Sequence, residues 1–123
     1  MPYFDELGEL ERAVMEVVWR RGKVFVKDVF EEMSSKRDVA PTTISTILDK
    51  LYKKGFLNRV LVREGGLRYL YTPALSREEY QRQSIRATLF DLLEKLEDPT
   101  VASIFGDEKE LSELKERLRR LVL

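Results

Sequence analysis

The sequence contains no cysteine and no histidine among its 123 residues. Without cysteine it cannot form a disulfide scaffold, a thiolate metal site or a thiol nucleophile. Without histidine it lacks the commonest general base and metal ligand, which excludes the hydrolases and zinc enzymes that depend on histidine. It also lacks a Gly-rich phosphate loop and a cluster of carboxylates. The sequence therefore predicts a protein that is not an enzyme and that uses no cofactor or metal.

Long apolar runs are also missing. No segment approaches the roughly 18 consecutive apolar residues that a membrane helix requires. The N-terminal residues Met1–Glu6 are acidic and lack the basic-then-apolar order of a secretion signal. We therefore expect a cytoplasmic protein without a membrane partner, built as one small domain with an appendage.

The chain has no excess of charge of either sign, since 22 Lys and Arg residues balance 22 Asp and Glu residues. At first this balance argues against a nucleic-acid partner. Residues 1–35, however, hold five basic and eight acidic side chains, a net charge of −3. Residues 36–71 hold eight and three, a net of +5, and residues 72–123 hold nine and eleven, a net of −2. A basic block between two acidic ones indicates an electrostatic partner surface in the middle of the chain.

Helical periodicity is present before this basic block. Between Leu10 and Arg21 the apolar residues recur at the spacing of one face of an amphipathic helix. These residues are Leu10, Ala13, Val14, Val17 and Val18. The apolar run Val24–Val26 is consistent with a short strand. A second helical stripe then continues to about Ser35.

A third helix is predicted over about residues 41–54. Pro41 suits its first position, where the missing N–H removes no hydrogen bond. The inward stripe consists of Ile44, Ile47, Leu48 and Leu51. The opposite face carries small hydroxyl side chains and then mainly lysines: Thr42, Thr43, Ser45, Thr46, Asp49, Lys50 and Lys53. This face differs from most other exposed helix faces of the chain, which carry Glu and Arg.

The residue pattern changes from a helical to a strand period beyond Gly55. Leu57–Val62 is rich in β-formers, Gly65–Gly66 is a tight-turn signal, and Leu67–Thr72 returns as the partner strand before Pro73. The resulting order is helix, short strand, helix, helix, strand, turn, strand. This order predicts a winged helix-turn-helix domain over residues 1–75.

The remaining residues, 76–123, are predicted to be helical. Ser76–Glu79 has the pattern of a capping box and predicts the start of a helix that ends before Asp98. A last helix is predicted to begin at about Asp107. Because 48 residues are too few to enclose an independent core comfortably, the apolar stripes need a partner, either the winged domain or a second copy of the chain. We favour a second copy, with a dimerisation surface of Leu89, Leu93, Leu96, Leu111, Leu114, Leu118 and Leu121. The predicted fold class is mainly α with a small antiparallel sheet (α+β), a winged helix-turn-helix domain followed by a helical dimerisation arm.

The basic block favours double-stranded DNA as the partner of the winged domain. Short hydroxyl side chains at the start of the third helix can approach base edges and phosphates in the major groove. Those predicted near bases or adjacent phosphates are Thr42, Thr43, Ser45, Thr46 and Lys50. Those predicted at phosphates or in the minor groove are Lys53, Arg63 and Arg68.

An alternative function and the role of Asp49 remain open at this point. A winged helix can also serve as a protein-protein interaction module that does not bind DNA, although such a module does not need a net charge of +5 concentrated on one helix and hairpin. Asp49 also lies on the proposed DNA face. It can pair with Lys53 one turn later, accept a hydrogen bond from a cytosine amino group, or repel phosphate.

Several segments resemble the penicillinase-repressor family, the BlaI/MecI-type transcriptional repressors. Leu7–Glu11, continuing through Val14-Met15 to Val18-Trp19, is similar to the opening helix of that family. Thr42–Gly55 is similar to its recognition helix, and Tyr69–Tyr71 to the strand after its wing. The resemblance covers nearly the whole chain and is strongest over residues 7–75.

This resemblance implies a homodimer that binds a palindromic operator and blocks transcription, with the C-terminal helices as the dimer interface. Antibiotic-responsive members are inactivated when a membrane-bound metalloprotease sensor triggers cleavage at an Asn-Phe bond. The matching position here is Ile104-Phe105, which lacks the asparagine, so the resemblance does not extend to that cleavage or to a β-lactam signal. The copper-responsive branch uses a C-terminal cysteine cluster, which is absent. A regulatory protease or sensor therefore stays unidentified.

Overall fold

The computed structural model describes residues 7–123; the acidic N-terminal residues 1–6, which begin the predicted domain 1–75, lie outside the described residues. Helices dominate, and the one sheet in the described part has two antiparallel strands. The elements are α1 (Glu9–Arg21), α2 (Val26–Ser34), α3 (Pro41–Lys53), β1 (Leu57–Val62), β2 (Arg68–Pro73), α4 (Arg77–Glu97), α5 (Pro99–Ala102) and α6 (Glu108–Val122). This composition confirms the predicted fold class. Through Glu79 the described residues form one compact unit, here called the winged unit, and Tyr80–Leu123 form a second, the C-terminal unit.

The core of the winged unit comes from the apolar faces of its three helices. Val14 and Val18 of α1 and Val29 of α2 are fully buried. The predicted inward stripe of α3 is confirmed, since Ile44, Ile47, Leu48 and Leu51 are all buried. Burial of each such side chain is worth about 1.5–3 kcal/mol. One face of α3 is therefore fixed against the core, and its opposite face is presented to solvent.

The segment between α1 and α2 differs from its prediction. Val24 does pair with Tyr71, through backbone N–H···O distances of 3.0 and 2.8 Å in the two directions. The expected strand over Val24–Val26 is wrong beyond this single bridge, because Val26 already begins α2. The physical reason is a helix cap, in which the Phe25 N–H donates to the Asp28 carboxylate at 2.8 Å.

The hairpin pairs Leu57 with Pro73 at its open end and Val62 with Arg68 at its closed end. Strand β1 has the predicted bounds, whereas β2 starts and ends one residue later than predicted. Leu67 belongs to the turn, where its side chain is 66% exposed. Pro73 is tolerated as the last strand residue because a proline at a strand end needs no ladder N–H.

In the C-terminal unit, α4 and α6 pack through a cluster of buried side chains: Leu93, Leu96, Leu111, Leu118 and Val122. The predicted linker between these helices contains the short helix α5, which Asp98 caps by accepting a hydrogen bond from the Thr100 N–H at 2.9 Å. The last helix, α6, begins within one residue of its predicted start at Asp107, and the Asp107 carboxylate caps it by accepting from the Lys109 N–H at 2.9 Å. No helix within residues 7–123 combines the length and apolar character needed to cross a membrane.

Candidate nucleic-acid interface

The outward face of α3 presents the predicted hydroxyl side chains. Thr42, Ser45 and Thr46 are exposed, and Thr43 is half-buried. The Thr46 hydroxyl donates to the Thr42 carbonyl oxygen at 2.9 Å, so its oxygen is left to accept a hydrogen bond. Pro41 occupies the first helical position, as predicted. The helix therefore offers a narrow surface of short polar side chains at its N-terminal end.

The lysines at the other end of α3 do not share one environment. The Lys54 Nζ lies 3.1 Å from the Glu11 carboxylate of α1 and is largely covered. The Lys50 Nζ lies 4.0 Å from the same carboxylate but is 58% exposed. Burial raises the pKa of Glu11, but the hydrogen bonds from the Gly8 N–H and from Lys54 outweigh it, and the net pKa is lowered. Glu11 thus stays charged at neutral pH and anchors this end of α3 to α1.

Asp49 forms two ion pairs on the same surface. One carboxylate oxygen lies 2.9 Å from the Lys53 Nζ and the other 2.8 Å from the Arg59 Nη1. The hydrogen bond from Lys53, and then that from Arg59, holds the pKa of Asp49 below its usual value. Of the three roles left open for Asp49 by the sequence, the pairing with Lys53 is therefore observed. The second partner, Arg59, was not expected.

Arg59 of β1 was missing from the predicted site residues. Its guanidinium carbon lies 3.9 Å from the centre of the Tyr52 ring and 4.1 Å from that of the Tyr69 ring. The side chain is only 18% exposed. Strand alternation was the available signal, because it puts Arg59 and Tyr69 on the hairpin face that meets the outer side of α3.

The two arginines of the hairpin turn differ in their contacts. The Arg68 guanidinium carbon lies 3.8 Å from the centre of the Phe25 ring, which holds this side chain near the start of α2. Arg63 is exposed, and its side chain makes no ion pair or hydrogen bond with the described residues. Between them, Gly65 and Gly66 adopt φ values of +66° and +103°, which L-residues with side chains rarely adopt.

The seven leucines predicted for dimerisation fall into two groups. Leu93, Leu96, Leu111 and Leu118 are buried in the cluster of their own C-terminal unit, and Leu89 packs against it. Leu114 and Leu121 are 37% and 66% exposed. Five of the seven therefore already have intrachain packing partners, and the two exposed leucines, Leu114 and Leu121, are the ones that a second chain can contact.

Comparison with known proteins settles the family. The family model described as "Penicillinase repressor" matches residues 7–122. The chain belongs to the penicillinase-repressor family. The transcriptional regulator BlaI of Mycobacterium tuberculosis is 36% identical over 99 residues, which cover 80% of this chain and 67% of that protein.

Two solved structures of the repressor BlaI are also similar. The solution structure of the DNA-binding domain of the repressor BlaI is 32% identical, with a TM-score of 0.52, and the match covers 65% of this chain and 94% of that one. The Bacillus licheniformis BlaI monomeric form in complex with the blaP half-operator is likewise 32% identical, with a TM-score of 0.51 and the same coverage. These likenesses confirm the winged-helix fold that was predicted from the order of helices and strands.

Proposed function

We propose that this chain binds a palindromic DNA operator as a homodimer, with α3 in the major groove and the hairpin of β1 and β2 on the adjacent backbone or minor groove. As a member of the penicillinase-repressor family, the chain is a DNA-binding transcriptional repressor. The proposal adds the assembly, the operator symmetry and the residues. It assigns residues 1–75 to DNA binding and residues 76–123 to dimerisation.

One observation carries the DNA-binding part. The apolar face of α3 is buried, while its opposite face exposes Thr42, Ser45 and Thr46 beside the half-exposed or exposed Lys50 and Lys53. Hydroxyl groups contact base edges and phosphates, and lysines contact phosphates as point charges. The half-operator complex of the B. licheniformis repressor supports this role for the same fold. Arg63 on the exposed turn supplies a further cation for the backbone.

The homodimer rests on the apolar side chains that the C-terminal unit leaves exposed. Ile85 and Leu92 are 61% and 41% exposed on α4, and Leu114 and Leu121 are exposed on α6. In each helix the two residues are separated by seven positions, which puts them on the same side of that helix. A second copy of the chain can cover these side chains and bring two winged units to two half-sites.

Selection of bound fragments from a random pool of DNA tests the proposal. The expected result is an inverted repeat whose half-sites are separated by about one or two helical turns of roughly 10–10.5 base pairs. Sedimentation equilibrium of the same complex should give two chains per duplex. Retention of DNA without sequence enrichment and without salt dependence would contradict operator binding and favour a protein-interaction module.

A further inference from the structure

Arg59 occupies the junction between the proposed recognition helix and the hairpin. From strand β1 its guanidinium donates to the Asp49 carboxylate of α3 at 2.8 Å. Its flat faces contact Tyr52 of α3 on one side and Tyr69 of β2 on the other, at 3.9 and 4.1 Å from the ring centres. One side chain of β1 thus touches both α3 and the second strand.

The chemistry of this junction requires arginine in particular. A guanidinium is planar, so it can stack between two rings and donate hydrogen bonds in its own plane at the same time. A lysine ammonium carries the charge but has no flat face and no fixed fork of donors. The contacts therefore fix the orientation of the hairpin against α3, as well as its proximity.

We infer that Arg59 is a positioning residue. It holds the hairpin in the position relative to α3 at which both can contact the same DNA half-site at once. This inference rests on the proposed function. It assigns the specificity of the repressor in part to a side chain that does not touch DNA. It also explains why an acidic residue lies on a DNA-facing surface, because the Asp49 carboxylate orients Arg59 and pairs with Lys53.

Two other roles for Arg59 make different predictions. A direct phosphate contact would require an accessible guanidinium, whereas the side chain is only 18% exposed and is covered on both faces by tyrosine rings. A purely structural role would lower the free energy of unfolding of the winged unit, but α3 and the hairpin would still contribute independently to the free energy of operator binding. The linkage itself is therefore the property to measure.

A double-mutant cycle between Arg59 and Arg63 measures that linkage. Arg63→Ala in the wild-type chain should weaken operator binding about tenfold, because it removes a contact from a correctly placed turn. In the Arg59→Lys background the same substitution should weaken binding less than about twofold, because the turn is no longer held in place. The affinities are measured by fluorescence anisotropy on the selected operator, below the unfolding temperature of each variant.

The matched control uses another largely covered cation, Lys54, which follows the last residue of α3. Lys54 is 22% exposed and pairs with Glu11 of α1. Lys54→Met should therefore give an additive cycle with Arg63→Ala. The Arg59 side-chain protons report the junction directly, since stacking on the two rings shifts their NMR signals upfield, and this shift should be reduced in Tyr69→Leu, where only the Tyr52 ring remains.

The outcomes separate the inference from the function on which it rests. If the wild-type chain binds no operator, the proposed function fails, and the positioning role that rests on it fails as well. If it binds but Arg59→Lys and Arg63→Ala are additive, the positioning role is overturned. Because lysine keeps the positive charge, the salt slope is measured in Arg59→Met, and a slope reduced by about one unit there would also overturn the positioning role, in favour of a phosphate contact. Should Arg59→Lys fail to fold, Asp49→Asn takes its place in the cycle. Its effect on operator binding should again be coupled to that of Arg63→Ala, and additive effects would again overturn the positioning role.

Discussion

Glu16 of α1 accepts two hydrogen bonds from Arg77, the first residue of α4, with donor distances of 3.0 and 2.6 Å to one carboxylate oxygen. Nearby, the Trp19 indole N–H donates to the Leu75 carbonyl oxygen at 3.0 Å. Both contacts attach the segment that leaves the hairpin to the first helix of the winged unit. No periodic pattern in the sequence predicts either contact, since the partners are separated by 61 and 56 positions.

Acidification should weaken this attachment. Burial raises the pKa of Glu16, but hydrogen bonds from Arg12 and Arg77 outweigh it, so the folded pKa lies below the ordinary value of 4.5. A lowered folded pKa stabilises the fold above pH 4.5, and this stabilisation is lost as the pH falls through the folded pKa. Glu16→Gln should therefore be less stable than wild type at pH 7 by at most about 1 kcal/mol, because the ion pair is partly exposed.

Urea denaturation followed by the fluorescence of Trp19 gives the measurement, at pH values from 7 down to 3. The difference between Glu16→Gln and wild type should shrink as the pH falls through the lowered folded pKa of Glu16, because protonation removes the charge that Arg12 and Arg77 stabilise. Glu94→Gln, which removes an exposed carboxylate from α4, is the control and should leave the pH profile unchanged. A difference that stays constant across the pH range would show that the charge of Glu16 is not responsible.

Replacing Lys53 should weaken binding to operator and to unrelated DNA alike. Its side chain is 70% exposed, and its ammonium group pairs with Asp49 in the absence of DNA. A phosphate contact releases counterions, so Lys53→Ala should lower the slope of log K against log salt by about one unit. The slope is measured by titrating the complex between low and physiological salt.

Lys95 offers a matched control for this experiment. It pairs with Asp91 one turn earlier on α4, at 3.1 Å and 67% exposed, in the same sequence arrangement as Lys53 and Asp49. Lys95→Ala should leave the salt slope unchanged. An unchanged slope in Lys53→Ala as well would place Lys53 outside the DNA interface.

The orientation of α3 should depend on its buried stripe. Leu48 is fully buried between the helices of the winged unit. Leu48→Ala removes packed methyl groups and leaves a cavity, so the free energy of unfolding should fall by about 2–5 kcal/mol. Leu67→Ala is the comparison, because Leu67 is 66% exposed on the turn and should change the stability by under about 0.5 kcal/mol. Equal losses in the two variants would contradict the burial pattern.

The turn of the hairpin should require glycine. At Gly66 the backbone φ is +103°, and an added side chain is strained there even though no atom lies within 4 Å of the new Cβ position. Gly66→Ala should destabilise the hairpin by about 1 kcal/mol or more and weaken operator binding through Arg63. Gly106→Ala, which also meets open space but has no positive φ, should leave the operator affinity unchanged. Equal affinities of Gly66→Ala and wild type would show that the turn does not need this conformation.

Periodic and local signals explain what could be predicted from the sequence. The helical stripe of α3 and the bounds of β1 follow from the spacing of apolar residues and from Gly55, and both are confirmed. Local competition explains the errors, since Asp28 caps α2 at Phe25 and so ends the expected strand after Val24.

Long-range side-chain contacts explain what could not be predicted at the site. Arg59 is one of eight basic residues in the segment 36–71, and its charge alone does not distinguish it from Arg63. Only the pairing of β1 with β2, and the packing of that hairpin on α3, puts Arg59 between two tyrosines. The same folding gives Lys54 a partner on α1 while leaving Lys53 largely exposed.

Dimerisation should depend on the exposed leucines of α6 and not on the buried ones. Leu118 is part of the intrachain cluster. A charged residue at this position would unfold the C-terminal unit and therefore would not report on dimerisation. Leu121 is 66% exposed, and Leu121→Asp should therefore preserve the helical circular dichroism while shifting sedimentation from two chains to one. Operator affinity should fall by at least about a hundredfold, because a monomer holds one half-site at a time.

The control for Leu121→Asp adds the same charge without removing an apolar side chain. Ser112 is exposed on α6, and Ser112→Asp should remain dimeric with wild-type operator affinity. If Leu121→Asp also sediments as a dimer, the exposed stripe of α6 is not the interface. Ile85 and Leu92 of α4 would then be the next residues to replace with aspartate. Among the described residues of the C-terminal unit, no helix other than α4 and α6 has two exposed apolar side chains seven positions apart.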